Sequence, residues 1–139
     1  MYEVMPISRE EYKKGKVPSE RLAIRAEKYV SKVLSERYKM DFKKKRVKIG
    51  DGRLREFDLV SEDNRIFVQI KSRETFHSLI NTQLSNRFAK YMLDCITLHK
   101  SPGTMKIFII TDRKMYEWFL IESSGLVEPD ITVEHIEVV

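Results

Sequence analysis

The chain has 139 residues, which fits one domain, and at 42% hydrophobic it can bury a core, so a disordered chain is excluded. Its 26 Lys and Arg against 21 Asp and Glu permit contact with nucleic acid without requiring it. The single cysteine, Cys95, excludes an internal disulfide and a cysteine-based zinc site, and no apolar run reaches the ~18 residues of a membrane span.

Residues 1–18 are polar, carry Pro6, Gly15 and Pro18, and read as an N-terminal arm. Their charges at Glu3, Arg9, Glu10 and Glu11 leave no apolar signal segment, so a cytoplasmic protein is expected. Ser19 is a candidate N-cap for a helix over about 19–38, in which Leu22, Ala26, Val30, Val33 and Leu34 recur at helical spacing. From Phe42 to Ile49, Val47 and Ile49 alternate with a basic run, and the pattern predicts a strand with one basic face. Gly50-Asp51-Gly52 marks a turn. Leu54 to Val60 and Arg65 to Lys71, separated by the turn Ser61-Glu62-Asp63-Asn64, predict two more strands and complete an antiparallel meander.

Leu84, Phe88, Tyr91, Met92, Cys95 and Ile96 share one face of a second helix, ended by Ser101-Pro102-Gly103. Lys106 to Thr111 is a continuous apolar run, as in a strand covered on both faces. A short helix over about 113–123 should turn Met115, Tyr116, Phe119 and Leu120 inward, with Gly125 closing it. Ile131 to Val139 predicts a final edge strand. The order αβββαβ(α)β predicts an α/β sandwich around a mixed sheet, in one domain spanning 1–139, with a core over 19–120 and a C-terminal strand extension over 121–139.

Side chains alternate faces along a strand. Gln69 and Lys71 therefore share a face with Phe67, leaving Ile66, Val68 and Ile70 for the other, while Glu56 and Asp58 share a face with Leu54 and Val60. Whether the two polar faces coincide depends on register, which sequence leaves open. On the first helix, at ~100° per residue, Glu27 falls on the flank of the apolar stripe beside Ala23, Val30 and Leu34, away from Lys28 and Lys32. Carboxylates, a neutral oxygen ligand and an ammonium on one patch suit metal-assisted attack on a phosphodiester. The plainer alternative is a set of exposed strand-end residues and a helix-edge glutamate. Against it, a lysine beside the core needs a carboxylate or phosphate partner.

These residues and this element order resemble the PD-(D/E)xK, or restriction-endonuclease-like, nuclease superfamily over roughly residues 19–120. Asp58 matches the first acid, Gln69-Ile70-Lys71 the second motif, and Glu27 the acid from the first helix. Phe67 to Arg73 looks most like the Mrr-like branch and archaeal Holliday-junction-resolvase-like members, where glutamine replaces the motif acid. The resemblance implies a restriction-endonuclease-like αβββαβ core and a metal-dependent DNA endonuclease. It implies Mg²⁺ or Mn²⁺ held by Glu27, Asp58 and the Gln69 carbonyl oxygen, and a catalytic set of Glu27, Asp58, Gln69 and Lys71. Lys71 would orient or deprotonate a water, or stabilise the charge of the phosphorane. The chain departs from the pattern at Phe57, where a proline often precedes the acid, and at Gln69, which leaves the site one negative charge short. Glu56 is a candidate extra carboxylate. The rival reading is a catalytically inactive module of the same fold that binds nucleic acid or a partner protein.

DNA is the expected partner, and a homodimer would cut both strands. Lys43, Lys44, Lys45, Arg46 and Lys48 form the densest positive run, and Arg53, Arg55, Arg73 and Arg87 are candidates for the rim of the site. Each of these also reads as an ordinary solvated charge. His77, His99 and His135 lack ligand spacing, and Ser72, Ser78 and Ser85 lack a histidine base. Cys95, Tyr91, Trp118 and Phe119 read as core, and Gln83 as a first-turn polar residue of the second helix.

Overall fold

The computed structural model describes residues 18–72 and 81–139, with side chains from residue 21 onward. The expected arm, the Ser19 cap, Arg73, His77 and Ser78 lie outside the described residues. The elements run α1 (Pro18–Tyr38), β1 (Phe42–Lys48), β2 (Leu54–Ser61), β3 (Ile66–Lys71), α2 (Asn81–Lys100), β4 (Met105–Ile110), α3 (Arg113–Glu122) and β5 (Ile131–His135). The sheet order is β1-β2-β3-β4-β5. β1, β2 and β3 form the antiparallel meander, and β4 and β5 join parallel to β3 and β4. This is an α/β fold with a five-stranded mixed sheet. Of the final strand expected over Ile131 to Val139, β5 covers Ile131–His135, at the edge of the sheet. No described helix is long and apolar enough to cross a membrane.

Apolar spacing decides which helix covers which face. On α1, Ala26, Val30 and Leu34 repeat every four residues and are fully buried. Val30 and Leu34 pack with Leu59, Ile66, Val68, Ile70, Ile107 and Ile109. On the other face, Tyr91, Cys95 and Leu98 of α2 and Met115 and Phe119 of α3 pack with Phe57, Val60, Phe67 and Phe108. β4 is an interior strand, between β3 and β5, and is buried through Ile107–Ile110, as its unbroken apolar run requires. Helix ends follow local chemistry. Lys39, in the left-handed region at φ 59°, stops α1. The Asp112 side chain accepts the Met115 N–H at 2.9 Å and starts α3. Gly125, at φ 79°, follows the end of α3. Three residues expected on the apolar stripes face out: Leu22 is 41%, Ile96 46% and Leu120 41% exposed. The helix surface each occupies lies beyond the edge of the stripe its neighbours bury.

One glycine is required by space. A β-carbon on Gly103 would stand 2.6 Å from Phe67 Cδ1 and 3.1 Å from the Arg65 carbonyl oxygen. Phe67 is fully buried and cannot retreat. Gly103→Ala should therefore destabilise the fold by about 1–3 kcal/mol in a denaturant titration, the usual cost of overpacking. An unchanged midpoint would show that the β3–β4 crossing is looser than described.

Regular alternation breaks in β2. Lys43 pairs with Val60 and Lys45 with Phe57, so Asp58 and Leu59 together oppose the single residue Lys44. This is a β-bulge, and it shifts the face pattern by one. Phe57 and Val60 both enter the α2–α3 layer, while Leu59 enters the α1 layer. The expectation that Val60 shares a face with Asp58 fails here, because simple alternation assumes no inserted residue. On the other side of β2, pairing with β3 is limited to Leu59–Val68 and Val60–Phe67. Beyond that point the two strands part.

Candidate active site

The parting of β2 and β3 is bridged by side chains. Asp58 Oδ2 accepts the Ile70 N–H at 2.7 Å. The Asp58 N–H donates to Gln69 Oε1 at 3.0 Å, and Gln69 Nε2 donates to the Glu56 carbonyl at 3.2 Å. Three side-chain bonds thus replace the missing ladder, and buried backbone groups that would otherwise lack partners are satisfied. Both ends of the buried Gln69 amide serve the β2 backbone, which makes it a strand staple, and Gln69 is not among the residues lining the cavity beside Asp58. A glutamate there could not donate to the Glu56 carbonyl, a physical reason for an amide at this position.

Asp58 opens onto a cavity of about 170 Å³ lined by Ala23, Glu27, Asp58, Ile70, Lys71, Ser72, Arg87, Lys90 and Tyr91. Glu27 comes from α1, Asp58 from the bulge, Lys71 from the last position of β3, and Arg87 and Lys90 from α2. Register leaves Gln69 and Lys71 on the Phe67 side of β3, yet the bulge and the strand separation bring Asp58 to the same cavity as Lys71. The small side chain of Ala23, one turn before Glu27, leaves room at the α1 wall.

The Lys71 ammonium is held at 2.7 Å by Asp94 Oδ2 of α2. Sequence reasoning missed Asp94 and Lys90. A signal for Asp94 was available: it lies three residues after Tyr91 and four before Leu98, both buried, so its carboxylate points toward the sheet and needs a cation.

Burial pushes the Asp58 carboxyl up to about 6, and the nearby Glu27 charge adds to this, against the opposing pull of the Ile70 N–H and of Lys71. Burial also raises Asp94, with Lys71 opposing. Burial and Asp94 raise the Cys95 thiol to about 12, which leaves it an inert packing group. Two carboxylates, Glu27 and Asp58, thus border one cavity with Lys71, Arg87 and Lys90, and burial is the main reason that Asp58 resists ionising. Among the described residues no three His, Cys, Asp or Glu side chains gather into a metal cage. A pair of carboxylates is still a fitting donor set for a Mg²⁺-type ion, which takes one or two carboxylates and keeps much of its water.

Other expected contacts disperse. Lys44 lies 3.4 Å from Glu27 Oε1 and 3.5 Å from Glu56 Oε1, so Glu56 meets Lys44. Lys45 Nζ donates to Asn64 Oδ1 at 2.6 Å. Lys43, Arg46 and Lys48 are exposed on β1, with Arg46 opposite Glu56. The basic run is therefore not one surface. Arg53 and Arg55 flank the β1–β2 turn, where the Gly50 N–H meets the Lys100 carbonyl at the end of α2, and they are not among the residues lining the cavity. Of the expected rim arginines among the described residues, Arg87 alone lines the cavity. His99 and Lys106 both meet Asp130, at 3.0 and 3.1 Å, which ties α2 to the start of β5 and gives the buried Lys106 its partner.

No family model, curated protein or solved structure matches the chain.

Proposed function

We propose that the protein is a metal-dependent DNA endonuclease with a restriction-endonuclease-like αβββαβ core. The observation that carries this reading is the meeting of Glu27, Asp58 and the Asp94-held Lys71 on one cavity at the point where β2 and β3 part. The element order supports it, with α1 before the meander and α2 and β4 after it.

Glu27 and Asp58 would hold Mg²⁺ or Mn²⁺, which when bound polarises the phosphate and lowers the pKa of a water. The chain's own groups do the rest. Arg87 and Lys90 on α2 attract the anionic backbone to the acidic wall. Asp94 fixes the position of the Lys71 ammonium, whose charge stabilises the phosphorane as negative charge grows on its oxygens. Gln69 keeps Asp58 in place through its bonds to the β2 backbone.

The test is incubation of the purified chain with plasmid, four-way junction and single-stranded DNA, with Mg²⁺ or Mn²⁺. Cleavage that depends on the metal supports the proposal, and intact DNA of every form in both metals overturns it. In that event an inactive module binding nucleic acid gains ground, a reading favoured by Gln69, whose neutral amide leaves only two carboxylates. For DNA contact, Arg87→Ala with Lys90→Ala should weaken duplex binding and reduce the slope of log K against log salt by about 2, one for each lost phosphate contact. A fluorescence-anisotropy salt series measures this, and an unchanged slope would place the DNA elsewhere.

A further inference from the structure

We propose that Lys44 is a tethered counter-ion of the acidic wall, released when a divalent cation binds, so that it sets the metal affinity of the site. The inference rests on the reading of Glu27 and Asp58 as the metal-holding pair.

Lys44 is the residue that the β2 bulge opposes with two. Alternation along β1 puts its side chain on the Phe42 side, toward α1, opposite Lys43 and Lys45. Its ammonium lies 3.4 Å from Glu27 and 3.5 Å from Glu56. With Glu27, Asp58, Ser31, Lys28 and Leu59 it lines a second, more open hollow beside the first. Burial pulls its pKa down, but Glu27, Glu56 and Asp58 outweigh that and hold it above the ordinary lysine value. Glu27 and Asp58 border both hollows, so the lysine and a metal ion would draw on the same negative charge.

The two cations compete. A divalent ion brings twice the charge to Glu27 and Asp58, and an ammonium beside it is repelled. The lysine's contacts are long, and its side chain is 48% exposed, so they are weak and easily broken. Released from Glu27, Lys44 faces solvent on a strand edge next to the exposed Lys43, where a DNA phosphate is its natural replacement partner. In the metal-free protein the same ammonium offsets part of the repulsion among the three acids.

The experiment is a calorimetric Mn²⁺ titration of the full chain at pH 8 and fixed salt. It compares wild type, Lys44→Met, Lys44→Arg and Lys43→Met, with thermal melts confirming that each is folded. Lys44→Met should bind Mn²⁺ about fivefold tighter, the effect of removing one close, partly screened charge. Lys44→Arg should stay near wild type. Lys43→Met makes the same change in net charge on the same strand and should do little. Equal affinities for wild type and Lys44→Met, or equal gains from Lys43→Met and Lys44→Met, would overturn the inference and leave the metal site standing. The absence of saturable binding in every variant would overturn both.

Discussion

Lys71→Ala is expected to lower metal-dependent DNA cleavage by at least about 10²-fold, the effect of removing one preorganised donor aimed at developing negative charge. The ammonium is the only side-chain cation from the sheet on the cavity among the described residues, and Asp94 holds it at 2.7 Å. The variant has a second consequence. It leaves the Asp94 carboxylate, 21% exposed, without its partner, which should cost about 1–3 kcal/mol of stability. Lys71→Ala with Asp94→Ala separates the two effects. The double variant should recover most of the lost stability, because no buried charge is left unpaired, and should recover none of the activity. Steady-state cleavage and urea melts on wild type and the two variants measure this. Activity in Lys71→Ala close to wild type would remove Lys71 from the chemistry.

Asp58→Asn is expected to stabilise the metal-free protein at neutral pH while abolishing its cleavage. Asp58 titrates at about 6 in the fold against 3.8 for an ordinary aspartate, so folding favours the protonated form. The stability tied to that group is fully present below about 3.8 and is lost as pH rises through about 6. At pH 7 and above the ionised carboxylate costs on the order of 2–3 kcal/mol, from about two pKa units at 1.36 kcal/mol each. Asparagine mimics the protonated acid and keeps an oxygen for the Ile70 N–H. The variant's advantage over wild type in melts should be largest above pH 7, shrink below pH 6 and vanish near pH 4. Added Mn²⁺ should close the gap at pH 8 by stabilising wild type alone. A variant less stable than wild type at pH 7.5, or a gap independent of pH, would contradict this account of the site. Stability given up at a charged cavity is the usual sign of a group kept for function.

Much of this was legible in the sequence because the signals were periodic. The apolar repeats of α1 and α2, the Gly50–Gly52 and Ser61–Asn64 turns and the unbroken run in β4 each translate directly into an element and a face. The placement of Glu27 on the α1 flank followed from helical geometry alone. Two kinds of information were hidden. The bulge at Asp58–Leu59 changes which residues share a face, and nothing in Phe57-Asp58-Leu59-Val60 marks it, since a bulge is set by pairing with Lys43 and Lys45. The duty of Gln69 was hidden likewise, because a side chain that replaces a strand ladder is identified only once the strands are seen to part. Charges were the other difficulty. The β1 lysines look alike in sequence, and tertiary neighbours alone assign Lys44 to Glu27 and Lys45 to Asn64.

Glu27 from α1 and Asp58 from the β2 bulge are proposed to form one seat for a divalent ion. Calorimetric Mn²⁺ titration at pH 8 of wild type, Glu27→Gln and Asp58→Asn tests it most directly. Wild type should show a saturable site that is lost in both variants, with each variant still folded. Wild-type affinity retained in both variants, or no saturable binding in wild type, would contradict it.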